Sequence, residues 1–293
     1  MGISLADQAP AAREVFEEAD DTLGEKLSTL CFEGPEEELR LTANTQPAIL
    51  TVSIAALRAL EAEGAKADFV AGHSLGEYTA LVAAGSLRFR DALALVRKRG
   101  RFMQEAVPPG EGAMAALIGC DIETVHEVCR EAAHSGVCAP ANINSPNQTV
   151  IAGHHQAVAE AVEIAKAKGV RRAVMLSVSA PFHCELMKPA AERLAPVLAA
   201  TEFADLRLPI VTNVDADIIT RGSKARDALL RQVFSPVLWS DSVGRLIEEG
   251  VTRFVEIGPG KVLSGLVKQS SRECQLLNVE DAQSLGAAVA VLR

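Results

Sequence analysis

The chain has 293 residues, 48% of them hydrophobic and 23% charged, with a net charge of -9. That balance fits a folded protein with a substantial core, in one large domain or a large one carrying a small one. Aromatic residues at 4% supply few stacking platforms for single-stranded nucleic acid, and the acidic balance argues against a general polyanion binder.

The first third reads as helix. Residues 11–23 and 47–63 place apolar side chains at helical spacing, separated by the turn-rich EGPEEEL. A short apolar run, ADFVA at 67–71, reads as a buried strand and is followed by helices over 75–84 and 90–106. The second of these stops at Pro108-Pro109-Gly110.

Beyond that break the pattern changes. GAMAALIG reads as a strand, 122–133 as a helix, and VCAPANI and QTVIAG as two strands around the turn NSPN. A helix over 156–168 and a strand over 170–178 complete a βαββαβ order, which predicts a ferredoxin-like subdomain over 108–178. It would be inserted in an α/β core made of 1–107 and 179–293. That core continues with a helix over 185–200, the strand LPIVTNV, helices over 223–233 and 239–249, the strand RFVEIG and a helix after GPGK. Short, unalternating apolar strands between helices predict a mostly parallel sheet covered on both faces, in a hydrolase-like core.

Six cysteines are scattered without a C-x-x-C pair, so the spacing gives neither a zinc site nor a disulfide framework. Reduced thiols in a cytoplasmic protein are the expectation. No signal peptide and no bilayer-spanning apolar run is found, so no membrane partner is expected either.

The chemistry centres on Gly72-His73-Ser74-Leu75-Gly76. A G-x-S-x-G pattern between a strand and a helix marks a sharp bend that exposes a serine hydroxyl above the sheet. The following helix N-terminus offers backbone N–H groups to a developing oxyanion. Serine needs a base, and among the 6 histidines His183 is the best placed, in a Pro-containing loop after a strand and before a helix. In DALALVRKRGRFM, Arg99 falls in the middle of an apolar helical stripe, whereas Arg97, Lys98 and Arg101 fall off it. A buried arginine needs a partner: either a structural ion pair to a core carboxylate or a carboxylate-bearing substrate, whose shape the guanidinium fork matches.

Two hydrolase readings weaken on the same residues. An α/β-hydrolase places its histidine late, yet 110 residues follow His183, the last histidine. A patatin-type Ser–Asp lipase would want an Asp-Gly pair, and the chain has none. EIGPGKVLSG lacks phosphate-loop spacing and reads instead as a strand–turn–helix junction lining the site.

Six segments in order, GHSLGEYTALVAAG, RKRGRFMQEAVPPGEGAMAALIG, NINSPNQTVIAG, APFHCELMKPA, RQVFSPVLW and EIGPGKVLSGL, together resemble the malonyl-CoA:acyl carrier protein transacylases, over essentially the whole chain. The resemblance implies a ping-pong acyltransferase in fatty acid biosynthesis. It needs no cofactor beyond the coenzyme A thioester substrate, and its partners are malonyl-CoA and an acyl carrier protein. In that scheme Ser74 carries the malonyl ester and His183 is its base. Gln232 matches the position whose backbone carbonyl orients the histidine, and Leu75 N–H matches an oxyanion donor. Arg99 matches the partner of the malonyl carboxylate, and Phe182 fits the malonyl-type pattern, where methylmalonyl-selective relatives carry serine. The basic run KAKGVRR suggests Arg171 and Arg172 as electrostatic docking points for an acidic carrier protein. A monomer is expected. Family members open with a strand ending in a G-Q-G-S-Q loop. The opening here, MGISLADQAP, aligns just after it, so one oxyanion donor is expected to be absent, at a cost of about 10²–10³ in rate. The alternatives are a catalytically weak carrier-protein-binding module and an acyl-CoA serine hydrolase.

Overall fold

A computed structural model describes residues 1–178 and 180–292; Ser179, where the second core segment was expected to begin, lies outside them. The N-terminal part is helical: α1 (Ile3–Gln8), α2 (Pro10–Leu23), α3 (Leu27–Glu33), α4 (Glu36–Arg40) and α5 (Thr42–Ala62). Helix α5 begins earlier than its apolar pattern suggests, with Pro47 inside it. Proline has no N–H for the Ala43 carbonyl, and that carbonyl accepts instead from Arg97 Nη1 at 3.0 Å. Leu50, Val52, Ile54 and Ala55 of α5 are almost wholly buried, making this helix the centre of the main core. Each of the leucine, valine and isoleucine side chains contributes about 1.5–3 kcal/mol by leaving water. Helices α6 (Leu75–Ala83) and α7 (Phe89–Glu105) follow, and α7 buries Ala92, Leu95, Val96, Arg99, Phe102 and Met103.

Next come β1 (Gly112–Ile118), α8 (Ile122–Ala132), β2 (Cys138–Ser145), β3 (Gln148–His154), α9 (His155–Ala167) and β4 (Arg172–Met175). The four strands form one sheet in the order β2-β3-β1-β4, antiparallel throughout. Alternation along β1 gives the two faces different partners. Ala113, Ala115 and Leu117 pack with Val125 and Val128 of α8 and Val158 and Val162 of α9. Met114 and Ala116 face the other way, against Phe182 and Cys184 on either side of His183. The sheet is thus the floor on which the histidine loop rests.

The remaining elements are α10 (Lys188–Ala200), β5 (Ile210–Val211), β6 (Ile218–Ile219), α11 (Gly222–Gln232), α12 (Trp239–Glu248), β7 (Arg253–Ile257), α13 (Val262–Ser270), β8 (Gln275–Val279) and α14 (Ala282–Leu292). The result is an α/β protein with mixed sheets. Among the described residues, the core holds a parallel pair, β7–β8, an antiparallel pair, β5–β6, and an isolated parallel bridge, Val70 to Ile210. ADFVA is therefore no regular strand: Val70 N–H donates to the Pro209 carbonyl, Val211 N–H donates to the Val70 carbonyl, and the pairing ends there. LPIVTNV shortens to β5 because the chain leaves the ladder at once, Thr212 N–H turning to the Asp217 carbonyl and Asn213 entering the site described below. No helix among the described residues is long and apolar enough to cross a membrane.

Candidate active site

Ser74 sits at the bend with φ 51° and ψ −105°, a left-handed region that costs a non-glycine residue about 1–3 kcal/mol. Asn213 holds the bend closed. Its Oδ1 accepts from Ser74 N–H at 2.7 Å and its Nδ2 donates to the Gly72 carbonyl at 2.8 Å. Gly72 is obligatory, since a Cβ there would lie 2.0 Å from the Gly76 backbone. Gly76 is different from what the motif suggests, because a Cβ there meets nothing within 4 Å. Leu75 opens α6, so its backbone N–H belongs to the first-turn amides that have no intrahelical acceptor.

His183 also has a positive φ, 61°, and only 3% of it is exposed. Its Nε2 lies 2.8 Å from Ser74 Oγ and its Nδ1 lies 2.8 Å from the Gln232 backbone carbonyl. A carbonyl only accepts, so Nδ1 carries the proton and Nε2 is free to take one from the serine. Burial, reinforced by the nearby Arg99 charge, pushes His183 down to about 3, against the upward pull of the Gln232 carbonyl. The imidazole is therefore neutral and ready to act as a base.

Arg99 is 1% exposed. Nη1 donates to Gln46 Oε1 at 2.7 Å, and Nη2 donates to Gln232 Oε1 at 2.9 Å and to Ser74 Oγ at 3.1 Å. The guanidinium also lies over the Tyr78 ring, 5.4 Å from its centroid. All its hydrogen-bond acceptors are neutral, and no carboxylate pairs with it among the described residues. Burial lowers its pKa, with the neighbouring Tyr78 and Glu77 opposing. Its direct hydrogen bonds thus go to neutral groups, and the buried Glu77 carboxylate acts on it through space and through Gln232.

The acyl transferase domain family matches residues 1–289. The chain is 51% identical to the malonyl CoA-acyl carrier protein transacylase of Bacillus subtilis, over 100% of this chain and 93% of that one. The transacylase family decides the matter. The chain belongs to the malonyl CoA-acyl carrier protein transacylases. The acyl-carrier-protein-S-malonyltransferase of Bartonella henselae has the same fold, with a TM-score of 0.97 at 45% identity, covering 100% of this chain and 94% of that one. A malonyl-transacylase solved in complex with a type II PKS acyl-carrier protein is 46% identical, with a TM-score of 0.97, over 99% of this chain and 94% of that one.

In this transacylase the residues singled out by sequence fall into two groups. Ser74, His183, Arg99 and the Gln232 carbonyl are joined by hydrogen bonds, and Leu75 follows Ser74 as the first residue of α6. Phe182 is half-buried where the main core meets the four-stranded sheet, next to His183. Arg171 and Arg172 stay on the surface at the start of β4 and are not brought to the serine. Their neighbours Lys166 and Lys168 pair with Glu163, Glu127 and Glu131, whereas neither arginine has an ion pair among the described residues.

His73 turns away from the serine. Its Nε2 is 2.8 Å from Asn144 Oδ1 of β2, and its ring lies 5.6 Å from that of Trp239. Four contributors went unread in the sequence: Gln46, Glu77, Asn213 and the Gln232 side chain. Glu77 is the one acid in the apolar helix LGEYTALVA, and Asn213 is the first amide after the apolar LPIVT; both positions carry a faint signal of a polar group with buried work. No group of three metal-ligating side chains occurs among the described residues.

Proposed function

We propose that this chain transfers a malonyl group from malonyl-CoA to the phosphopantetheine thiol of an acyl carrier protein, by way of a malonyl ester on Ser74. The observation that carries this reading is Arg99: a buried guanidinium, hydrogen-bonded to the nucleophile at 3.1 Å and otherwise only to neutral groups. Such a cation favours an acyl chain that ends in a carboxylate.

Each half-reaction uses the same parts. His183 Nε2 takes the Ser74 hydroxyl proton as Oγ attacks the thioester carbonyl. The oxyanion forms at the α6 N-terminus, where Leu75 N–H donates to it. The carbon–sulfur bond breaks, and the departing coenzyme A thiolate takes the proton from His183. In the second half, His183 removes the proton of the carrier thiol, the thiolate attacks the seryl ester, and Ser74 Oγ recovers the proton on leaving. The Gln232 carbonyl keeps His183 in the required tautomer throughout. Phe182, between the core and the sheet, borders the acyl position and favours malonyl over branched homologues.

The strand order β2-β3-β1-β4, with α8 and α9 on one face, supports a ferredoxin-like subdomain over 108–178 set into a hydrolase-like acyltransferase core of 1–107 and 179–293. Arg171 and Arg172, unpaired on that subdomain, are suited to an acidic carrier protein. No cofactor enters the scheme. Free cysteines are in keeping with a cytoplasmic enzyme, taken here to act as a monomer.

The test is incubation with radiolabelled malonyl-CoA followed by carrier protein. Label that enters wild type but not Ser74→Ala, and leaves only when carrier is added, is the expected result. Spontaneous loss of label would mark a hydrolase, and no label at all would refute the transfer.

A further inference from the structure

Glu77 follows Ser74 by three residues on the first turn of α6, and 1% of it is exposed. Its Oε2 accepts from Gln232 Nε2 at 2.7 Å and from the Asn213 backbone N–H at 3.3 Å. Both neighbours are donors, which suits the carboxylate rather than the acid. Burial acts the other way and pushes Glu77 up to about 7, while Gln232, Asn213 and Arg99 hold it down. A carboxylate taken out of water is costly unless it is hydrogen-bonded and faces opposite charge.

The site has positive charge to offset. Arg99 is buried among neutral acceptors, and acylation turns His183 into a second cation, 2.8 Å from the serine. Gln232 joins both cations to Glu77. Its backbone carbonyl receives His183 Nδ1–H at 2.8 Å, its Oε1 receives Arg99 Nη2 at 2.9 Å, and its Nε2 donates to Glu77 at 2.7 Å and to the Ser74 carbonyl at 2.9 Å. The amide is thereby held one way round, oxygen towards the arginine and NH₂ towards the carboxylate.

We propose that Glu77 is a positioning residue of the acyl transfer: the buried anion that a serine–histidine pair commonly draws from an aspartate on the imidazole is supplied here one residue removed, through Gln232. It orients the Gln232 amide and offsets the imidazolium that forms on His183 beside Arg99. The inference rests on the malonyl-transfer reading of the same site. The other charged and titratable groups facing Glu77 are Tyr78 on α6, Arg99 on α7, Asp215 between β5 and β6, and Arg231 on α11. Arg231 is bound by both nitrogens to Asp215, at 2.7 and 2.6 Å, so Arg99 is the cation left to respond to Glu77.

Glu77→Gln keeps an acceptor for Gln232 and removes the charge. The single-turnover rate of Ser74 malonylation, normalised to active sites titrated by the acyl burst, is expected to fall about tenfold or more without a rise in malonyl-CoA KM. A purely structural role would reduce the number of active sites and leave the rate per site intact. The wild-type rate should rise with pH through the region of Glu77 ionisation near 7, and this limb should vanish in Glu77→Gln. Glu77→Asp, which keeps the charge, should recover part of the loss. A wild-type rate per site in Glu77→Gln overturns the proposal, as does Glu77→Asp no faster than Glu77→Gln. Should the glutamine variant not fold, Glu77→Asp carries the test, since a shorter carboxylate holds Gln232 less well and should lower the rate per site, and a wild-type rate per site there overturns the proposal equally. Absence of label on wild-type Ser74 would fell the malonyl-transfer reading and this inference with it, an outcome distinct from any effect confined to the variants.

Discussion

Arg99 Nη2 and Ser74 Oγ stand 3.1 Å apart, a cation hydrogen-bonded directly to the nucleophile that it accompanies. In the proposed malonyl transfer, this contact would limit the length of acyl chain that the site rewards. A carboxylate paired with this guanidinium must end close to the ester it is attached to, and malonyl, with one carbon between its two carbonyl carbons, is short enough. Arg99→Ala is expected to lower the malonyl-over-acetyl preference by about 10²-fold, with Arg99→Lys in between because the charge survives and the fork does not. Competition between the two labelled acyl-CoA substrates for Ser74 measures it, and an unchanged preference would reject the carboxylate-pairing role.

Two buried groups give stability opposite slopes with pH. The folded-state pKa of His183 is depressed to about 3 from 6.5, so its contribution is present above pH 6.5 and is lost as pH falls towards 3. That of Glu77 is raised from 4.5 to about 7, so its contribution is present below pH 4.5 and is lost as pH rises through 7. The difference in Tm between Glu77→Gln and wild type should therefore shift in favour of the variant from acid to neutral pH. For His183→Gln the shift should favour the variant as pH falls below 6.5. Thermal melts across that range check both, and parallel curves would contradict them.

The two glycines of the elbow should behave unlike one another. Gly72→Ala drives a methyl to 2.0 Å from the Gly76 backbone, so the bend cannot form and soluble protein should be lost. Gly76→Ala meets open space inside a helix and should keep or raise stability by roughly 0.5–1 kcal/mol. Expression and melting of the pair separate them at once.

Asn213→Ala removes both hydrogen bonds that close the bend around Ser74. A stability loss of about 2 kcal/mol and a slower serine burst are expected, because the strained φ is left unsupported and the Gly72 carbonyl unpaired. A variant that melts and reacts like wild type would show that the strain is held elsewhere.

Charge reversal of Arg171 and Arg172 should raise the carrier-protein KM and leave malonylation of Ser74 by malonyl-CoA alone. The effect should shrink as salt is added, since both side chains are exposed. Equal changes in both half-reactions would remove these residues from the docking surface.

How far the sequence revealed the site depended on where each residue lay. Ser74 and His183 were legible because each occupies a bend with its own local signature, and Arg99 because a charge on an apolar stripe breaks a periodic pattern. The side chains of Gln46 and Asn213 were not, since their work is to meet groups 53 and 139 residues away, and no local pattern encodes that distance. The helices and the four-stranded unit carry strong periodicity and appeared near their expected bounds. Of the core strands RFVEIG did so, as β7, whereas two others did not. ADFVA and LPIVTNV are apolar enough to be buried, but the Val70 and Ile210 segments pair at one point only, and pairing is set by neighbours in space.

The contact between His73 and Trp239 has a practical consequence. The chain contains a single tryptophan, and it lies 5.6 Å from the ring adjoining the nucleophile. That same ring is tied to Asn144 of β2, and β2 is in turn bonded through Ile143 N–H to the Val237 carbonyl at 2.9 Å. Intrinsic emission is therefore an unlabelled optical gauge of this joint between the elbow and the sheet, with no added fluorophore.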